Sequence, residues 1–359
     1  MSKTNVCLIA GSPLSVAPYV KRYMKILEVN GINFDVIYKD SAGQVREDSP
    51  NCHVYYYKSV KGPLGKALRF DAYRRFIKKI LKKNKYSKVV VFTAESTILA
   101  YQILKNISNK TEYIIDLRDY SVFLDIPFLK GIFLKALHGA EFAVLSSHGF
   151  KKWLPKDVHY YIMHNMPIFS TPVKDTLPSF GSSVCIGYLG AIGYLESNIA
   201  IAQDIRNSSK FSLLYAGTYP NGYNIRTYCE ENSIENVVFH GKYDEAEKRT
   251  IYKKVNLINA VYANDSLTVT TAIPNKLYDS AFYKIPIMVC SGTYLAEIVR
   301  KYCLGFDIEP KKDNIKQKIE EYIHSFDAKK FILGCERLIK DSGRELVEAE
   351  GAVVKFLLG

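Results

Sequence analysis

Short apolar, β-rich runs alternate with amphipathic helical stretches along the whole chain, and that alternation leaves few folds open. A parallel strand pair needs a long crossover, usually a helix, so this pattern reads as α/β with parallel sheets. In the first half the runs lie at 6–10, 34–38, 54–57, 88–93, 113–117, 142–146 and 160–163. In the second half they lie at 184–190, 211–216, 237–241, 257–261, 287–290 and 305–308. The first helix is expected over 15–29. There Val16, Tyr19, Val20, Tyr23 and Leu27 recur at helical spacing, and Asn30-Gly31 supplies a stop.

At 359 residues the chain is long for one hydrophobic core, so two domains are expected. The segment from Met166 to Ser183 carries Pro167, Pro172, Pro178 and Gly181 and reads as the connection between them. The expected division is 1–168, a linker at 169–183, a second domain at 184–342 and a final helix at 343–359. No run of about 18 apolar residues occurs, so no membrane-spanning helix is expected. Met1-Ser2-Lys3-Thr4 leads into a strand within a few residues, which argues against a signal peptide. The seven cysteines are scattered with no Cys-x-x-Cys pair. They indicate neither a zinc ribbon nor a disulfide framework, and a reducing, cytoplasmic compartment is expected. The net charge of +13 favours an anionic partner: nucleotide phosphates, an anionic membrane or nucleic acid. Tyrosine is abundant, at 27 residues, and has no single physical reading.

Ligands of open α/β sheets bind beyond the carboxyl ends of the strands, so residues just past each run are the candidates. Gly11-Ser12-Pro13-Leu14-Ser15 offers free N–H groups to a phosphate or sugar, or is a plain strand–helix turn. Arg118-Asp119 ends a buried run; Arg118 either reaches an anion or pairs with Asp116 or Asp119. Glu95 lies on the same edge. In the second half, Gly187-Tyr188-Leu189-Gly190-Ala191-Ile192-Gly193 can bind phosphate through a backbone nest. Gly217 and then Gly241-Lys242 follow the next two strands.

Pro274-Asn275-Lys276-Leu277-Tyr278-Asp279 reads as a helix start, with Asn275 suited to capping. Its free N–H groups attract phosphate, Lys276 adds a mobile charge, and Asp279 can accept from sugar or ribose hydroxyls. A plain surface Lys–Asp pair in a first turn is the blander alternative. Ser146-Ser147-His148 lacks a Gly-x-Ser-x-Gly elbow, and the histidines show no metal spacing, so neither a hydrolase triad nor a metal is expected.

A basic run spans 69–88, with Arg69, Arg74, Arg75, Lys78, Lys79, Lys82, Lys83, Lys85 and Lys88. Phe70, Tyr73, Phe76, Ile77, Ile80 and Leu81 lie between the charges. The helix suits an anionic membrane, or is a solvated face. Phe123 to Leu137 offers a second apolar surface. No DNA- or RNA-binding module is recognisable, so nucleic acid is not an expected partner.

Pro274 to Asp279, followed by Ile285-Pro286-Ile287-Met288-Val289, resembles the nucleotide-sugar-binding segment of family-4 glycosyltransferases, especially the bacterial surface-polysaccharide branch. The resemblance implies GT-B architecture: two Rossmann-like domains facing across a cleft, the first for acceptor and the second for the nucleotide sugar, with the last helix crossing back. It implies a donor contact set of Gly11, Arg118, Gly190, Gly217, Gly241, Lys242, Asn275, Leu277 and Asp279. Asp119 would hold the transferred sugar, Lys276 the leaving diphosphate and Asp279 the ribose. Two departures stand out. Ala191 occupies the position of an expected basic residue, and the lysine that usually follows is missing. Thr271 stands where the first acid of a Glu-x7-Glu pair would be. The implied reaction is transfer of a hexose-type sugar from UDP, or second GDP, to a glycan or lipid-linked acceptor, with retention, in surface polysaccharide such as capsule. The implied location is cytoplasmic, peripheral on the inner face of the membrane. No cofactor is expected beyond the donor. A non-catalytic GT-B scaffold subunit and a nucleotide-sugar epimerase are the rival readings.

Overall fold

The computed structural model describes residues 5–41, 51–58, 62–107, 111–167, 180–219 and 221–359. The chain forms two compact units, Met1–His164 with Glu345–Gly359, and Asn165–Arg344. Most of the proline-rich stretch, 168–179, lies outside the described residues.

The first unit contains β1 (Asn5–Ile9), β2 (Asn33–Ser41), β3 (Cys52–Tyr57), β4 (Lys88–Phe92), β5 (Glu112–Leu117), β6 (Ala143–Leu145) and β7 (Tyr160–Ile162). They form one parallel sheet in the order β3-β2-β1-β4-β5-β6-β7. The reversal of direction lies between β1 and β4, as in Rossmann sheets. Val6, Cys7, Leu8, Ile9 and Ala10 are fully buried, which explains a continuous apolar run rather than an alternating one. Burial of Val6, Leu8 and Ile9 contributes roughly 1.5–3 kcal/mol each by removing them from water.

The first helix begins later than 15. A short 3-10 turn covers Leu14–Val16, and the α-helix runs Pro18–Val29. Pro18 favours extended backbone in the residue before it and fits the first helical position, so Ala17 stays outside at φ −124° and ψ 63°. Val16, expected on the apolar face, is exposed.

The basic helix is Pro63–Lys83. Tyr73, Ile77, Ile80 and Leu81 are buried in the protein, which corrects the expectation of an apolar face free to meet lipid. Arg75, Lys78, Lys79, Lys82, Lys83 and Lys85 remain exposed.

The second unit contains β8 (Val184–Ala191), β9 (Phe211–Thr218), β10 (Val237–Gly241), β11 (Leu257–Ala260), β12 (Ile287–Cys290) and β13 (Gly305–Ile308). All pairs are parallel, in the order β10-β9-β8-β11-β12-β13. This is again the Rossmann order, with its switch point between β8 and β11. Two apolar clusters cover the two faces. Ile258, Leu277, Ile287 and Val289 belong to one, and Ile186, Tyr188, Ile201 and Met288 to the other.

The final helix is one continuous element, Ala328–Leu358. Phe331, Cys335 and Leu338 join the core of the second unit, and Ala349, Val353, Phe356 and Leu357 that of the first. Among the described residues no helix is long and apolar enough to cross a membrane.

Candidate functional site

In the second unit Gly190 and Gly217 are register partners at the carboxyl ends of β8 and β9. Their φ values are +114° and +144°, a region that side-chain-bearing residues rarely adopt. A Cβ on Gly217 would lie 1.7 Å from the Gly190 carbonyl oxygen. The bare backbones open onto a pocket of about 340 Å³ lined by Gly190, Gly217, Thr218, Lys242, Tyr243 and Glu245. Lys242 and Tyr243 follow β10, where a register irregularity between Phe239 and Gly241 turns the chain. The structure therefore gathers Gly190, Gly217 and Lys242, three of the sequence-predicted contacts, around one cavity. Glu245 opens the helix Glu245–Tyr252, whose N-terminus carries a capping box between Asp244 and Glu247.

The helix bearing Lys276 and Asp279 runs Asn275–Tyr283. Pro274 is its N-cap and makes no side-chain cap; Asn275 is the first helical residue and is exposed. The expectation that Asn275 caps the helix is corrected accordingly. Leu277, the next residue of the expected donor set, is fully buried in the core, and its N–H donates to the Pro274 carbonyl at 3.1 Å.

Lys276 is not a mobile surface charge. It is 7% exposed, its Nζ donates to the Tyr262 hydroxyl at 3.1 Å, and it stands 3.6 Å from the centroid of the Tyr188 ring. Burial lowers its ammonium to about 7, and Asp279 pulls the other way. The Tyr188 and Tyr262 rings face the ammonium and favour its charged form, against the effect of burial.

Asp279 is 3% exposed. Lys248 Nζ lies 2.9 Å from Oδ1, and the Tyr252 hydroxyl donates to Oδ2 at 2.9 Å. Burial pushes the carboxyl up against the pull of Lys248 and Tyr252. The blander alternative, a surface Lys276–Asp279 pair, is not what forms: Asp279 pairs with the buried Lys248. Lys248 also lies 3.4 Å from Glu245 Oε1.

In the first unit Arg118 pairs with Asp116, one of the alternatives the sequence left open. Nε and Nη2 each reach the carboxylate at 2.5 Å, and Nη1 donates to the Met163 carbonyl at 3.0 Å. The Tyr23 hydroxyl donates to the same Asp116 at 2.6 Å. Arg118 is 6% exposed, and its guanidinium is held by Asp116 and the Met163 carbonyl. Asp119 is exposed, yet the protein around it raises its carboxyl to about 6, with Arg118 opposing. Gly11 follows β1 beside the switch point, and a Cβ there would meet Ser96 Oγ at 3.1 Å. Glu95 is paired with Lys39 at 2.5 Å. His148 and His164, just past β6 and β7, both bond Glu345, at 2.8 and 2.7 Å. These contacts hold the Glu345 carboxyl well below the usual range, against the effect of its burial.

Sequence reasoning missed Tyr188, Tyr262, Lys248, Tyr252, Tyr243 and Glu245. The one available signal was the excess of tyrosine, which here supplies ring faces and buried hydroxyl donors.

No family model and no curated protein matches the sequence. Solved structures do match over nearly the whole chain. Sucrose-phosphate synthase from Thermosynechococcus elongatus superposes with a TM-score of 0.69 at 15% identity, over 98% of this chain and 96% of that one. HepE of Anabaena in complex with UDP gives 0.70 at 9% identity, over 98% and 100%. The lipopolysaccharide outer core galactosyltransferase WaaB, in its apo form, gives 0.61 at 13% identity, over 97% and 100%. This chain has the GT-B fold, two Rossmann-like α/β units with the helices of each packed on a parallel sheet.

Proposed function

We propose that this protein is a retaining glycosyltransferase that moves a hexose-type sugar from a nucleotide diphosphate donor, UDP before GDP, to a glycan or lipid-linked acceptor in surface polysaccharide synthesis. The observation that carries the reading is the pocket beyond β8 and β9, where paired glycines expose backbone and Lys242 adds charge, on a GT-B fold. HepE with UDP and the galactosyltransferase WaaB are similar in fold, which supports this choice of donor and reaction. In the proposed step the acceptor hydroxyl oxygen bonds to the sugar C1 as the C1–O bond to the diphosphate breaks. The acceptor proton passes to the departing phosphate oxygen, so no protein nucleophile is needed. Lys276 and Lys242 balance the diphosphate charge, and Asp119 holds hydroxyls of the transferred sugar.

The test is thermal stabilisation by UDP, GDP, CMP and ADP, since a ligand that binds the folded state raises its stability. UDP should raise the unfolding temperature, and Lys242→Ala should weaken the shift without lowering the unliganded value. A flat response to all four nucleotides would overturn the donor site. The scaffold reading is favoured by one observation, the alanine at 191 where relatives of the resembled family carry a basic residue. Nucleotide binding with neither transfer nor donor hydrolysis would select it.

A further inference from the structure

Lys276 is buried, yet no ion pair holds it among the described residues. The one hydrogen bond of its ammonium goes to a neutral group, the Tyr262 hydroxyl, at 3.1 Å. The other donors meet ring faces, with the Tyr188 centroid at 3.6 Å and the Tyr262 centroid at 5.1 Å. Asp279, one turn along the same helix, favours the charge from a distance, but its own contacts are Lys248 and Tyr252. A buried charge is costly unless it is paired, and an ammonium has three donors to satisfy. The site therefore lacks an anion. Above it, the Tyr188 hydroxyl donates to the Ala191 carbonyl at 3.1 Å, so the ring beside Lys276 is tied to the turn that closes β8. That turn, Gly190-Ala191-Ile192-Gly193, carries no charged side chain, and Gly190 opens onto the pocket.

We propose that a nucleoside diphosphate bound at this turn draws a proton from solvent onto Lys276, which supplies the positive charge that Ala191 lacks and links donor affinity to pH. The inference rests on the donor pocket proposed above. Without ligand, burial lowers the ammonium to about 7, so at pH 8 the amine is largely neutral. A diphosphate nearby favours the charged form and moves the group back up. A ligand that prefers the protonated form takes up a proton on binding, and its affinity falls as pH rises through that window. The groups facing Lys276 are Tyr188 on β8, Tyr262 after β11 and Asp279 on its own helix, with Lys248 and Tyr252 behind Asp279. Burial raises the three phenols, and Lys248, although burial opposes it, is held up by Asp279. Burial also raises the Asp279 carboxyl, and an arginine at 276 separates its titration from that of the lysine.

The experiment is calorimetry of UDP binding to the whole protein at pH 8, in two buffers of different ionisation heat, with GDP in parallel. The nucleotide phosphate is already ionised at that pH and contributes little. The wild type should take up roughly half a proton or more per UDP, and its affinity should fall by up to about tenfold from pH 7.5 to 8.5. Lys276→Arg keeps a permanent charge, so uptake should vanish and affinity should stay flat over the same range. UDP binding by the wild type with no proton uptake overturns the proposal, although the donor pocket stands. Uptake that persists in Lys276→Arg places the proton elsewhere and overturns it as well. Absence of binding by either nucleotide to the wild type overturns the donor pocket itself.

Discussion

Lys276 Nζ stands 3.6 Å from the centre of the Tyr188 ring, on the buried side of the helix that carries it. Its ammonium is lowered from 10.5 to about 7 by burial. Between those values the unfolded chain holds a proton that the folded protein releases, so this residue makes stability rise with pH across about 7 to 10.5. The unfolding free energy of Lys276→Met minus that of the wild type should therefore fall from pH 7 to pH 10, by a few kcal/mol in total. Urea titrations at four pH values in that range measure the difference. A constant difference would mean that Lys276 is charged throughout.

The Lys248–Asp279 pair is buried on both sides, at 9% and 4% side-chain exposure. Asp279→Ala leaves an ammonium without its carboxylate and should destabilise the protein by about 3–5 kcal/mol. The double variant Lys248→Met with Asp279→Leu removes both charges and should recover much of that loss. Urea midpoints of the two proteins decide the matter.

Gly190 and Gly217 both have positive φ, but only Gly217 meets backbone when a Cβ is added. Gly190→Ala should cost about 1–2 kcal/mol from backbone strain alone. Gly217→Ala forces the two strand ends apart and should cost more, with loss of nucleotide binding. Equal unfolding temperatures for the two variants would contradict the close approach at 1.7 Å.

Asp119 has a carboxyl raised to about 6. If it holds sugar hydroxyls as an anion, transfer should decline as pH drops through 6, because the acid form is a weaker acceptor. In Asp119→Asn the rate should be lower at pH 8 and that acid limb should vanish. A pH–rate profile from 5 to 8 with a UDP-sugar reads both effects.

Exposed Lys78, Lys79, Lys82 and Lys83 form a basic strip, and Val122, Ile126 and Phe128 are exposed in the same unit. Phe70 and Phe123 join the two segments through rings 5.2 Å apart. Sedimentation with vesicles rich in phosphatidylglycerol should be strong at low salt and lost at high salt. Changing the four lysines to glutamate should abolish it, and Phe128→Ser should weaken it.

Several features were legible in the residue order because they depend on neighbours in the chain. Alternating apolar runs and helices fixed two parallel α/β units, since a strand buried on both faces must be apolar throughout. Gly190 and Gly217 could be marked as turn residues from their place after each strand. Apolar spacing alone extends the first helix back to 15, whereas Pro18 holds Ala17 outside it.

The partners of charged groups were not legible, because a buried charge takes whatever complementary group the fold brings near. Lys276 and Asp279 sit three apart on one helix, yet their partners are Tyr188, Tyr262, Lys248 and Tyr252, from other elements. The sequence alone determined which segments are strands and which residues stand at their carboxyl ends. Tertiary packing decided which of those residues face a cavity and which are enclosed, since desolvation and pairing depend on distances across the fold that local order does not encode.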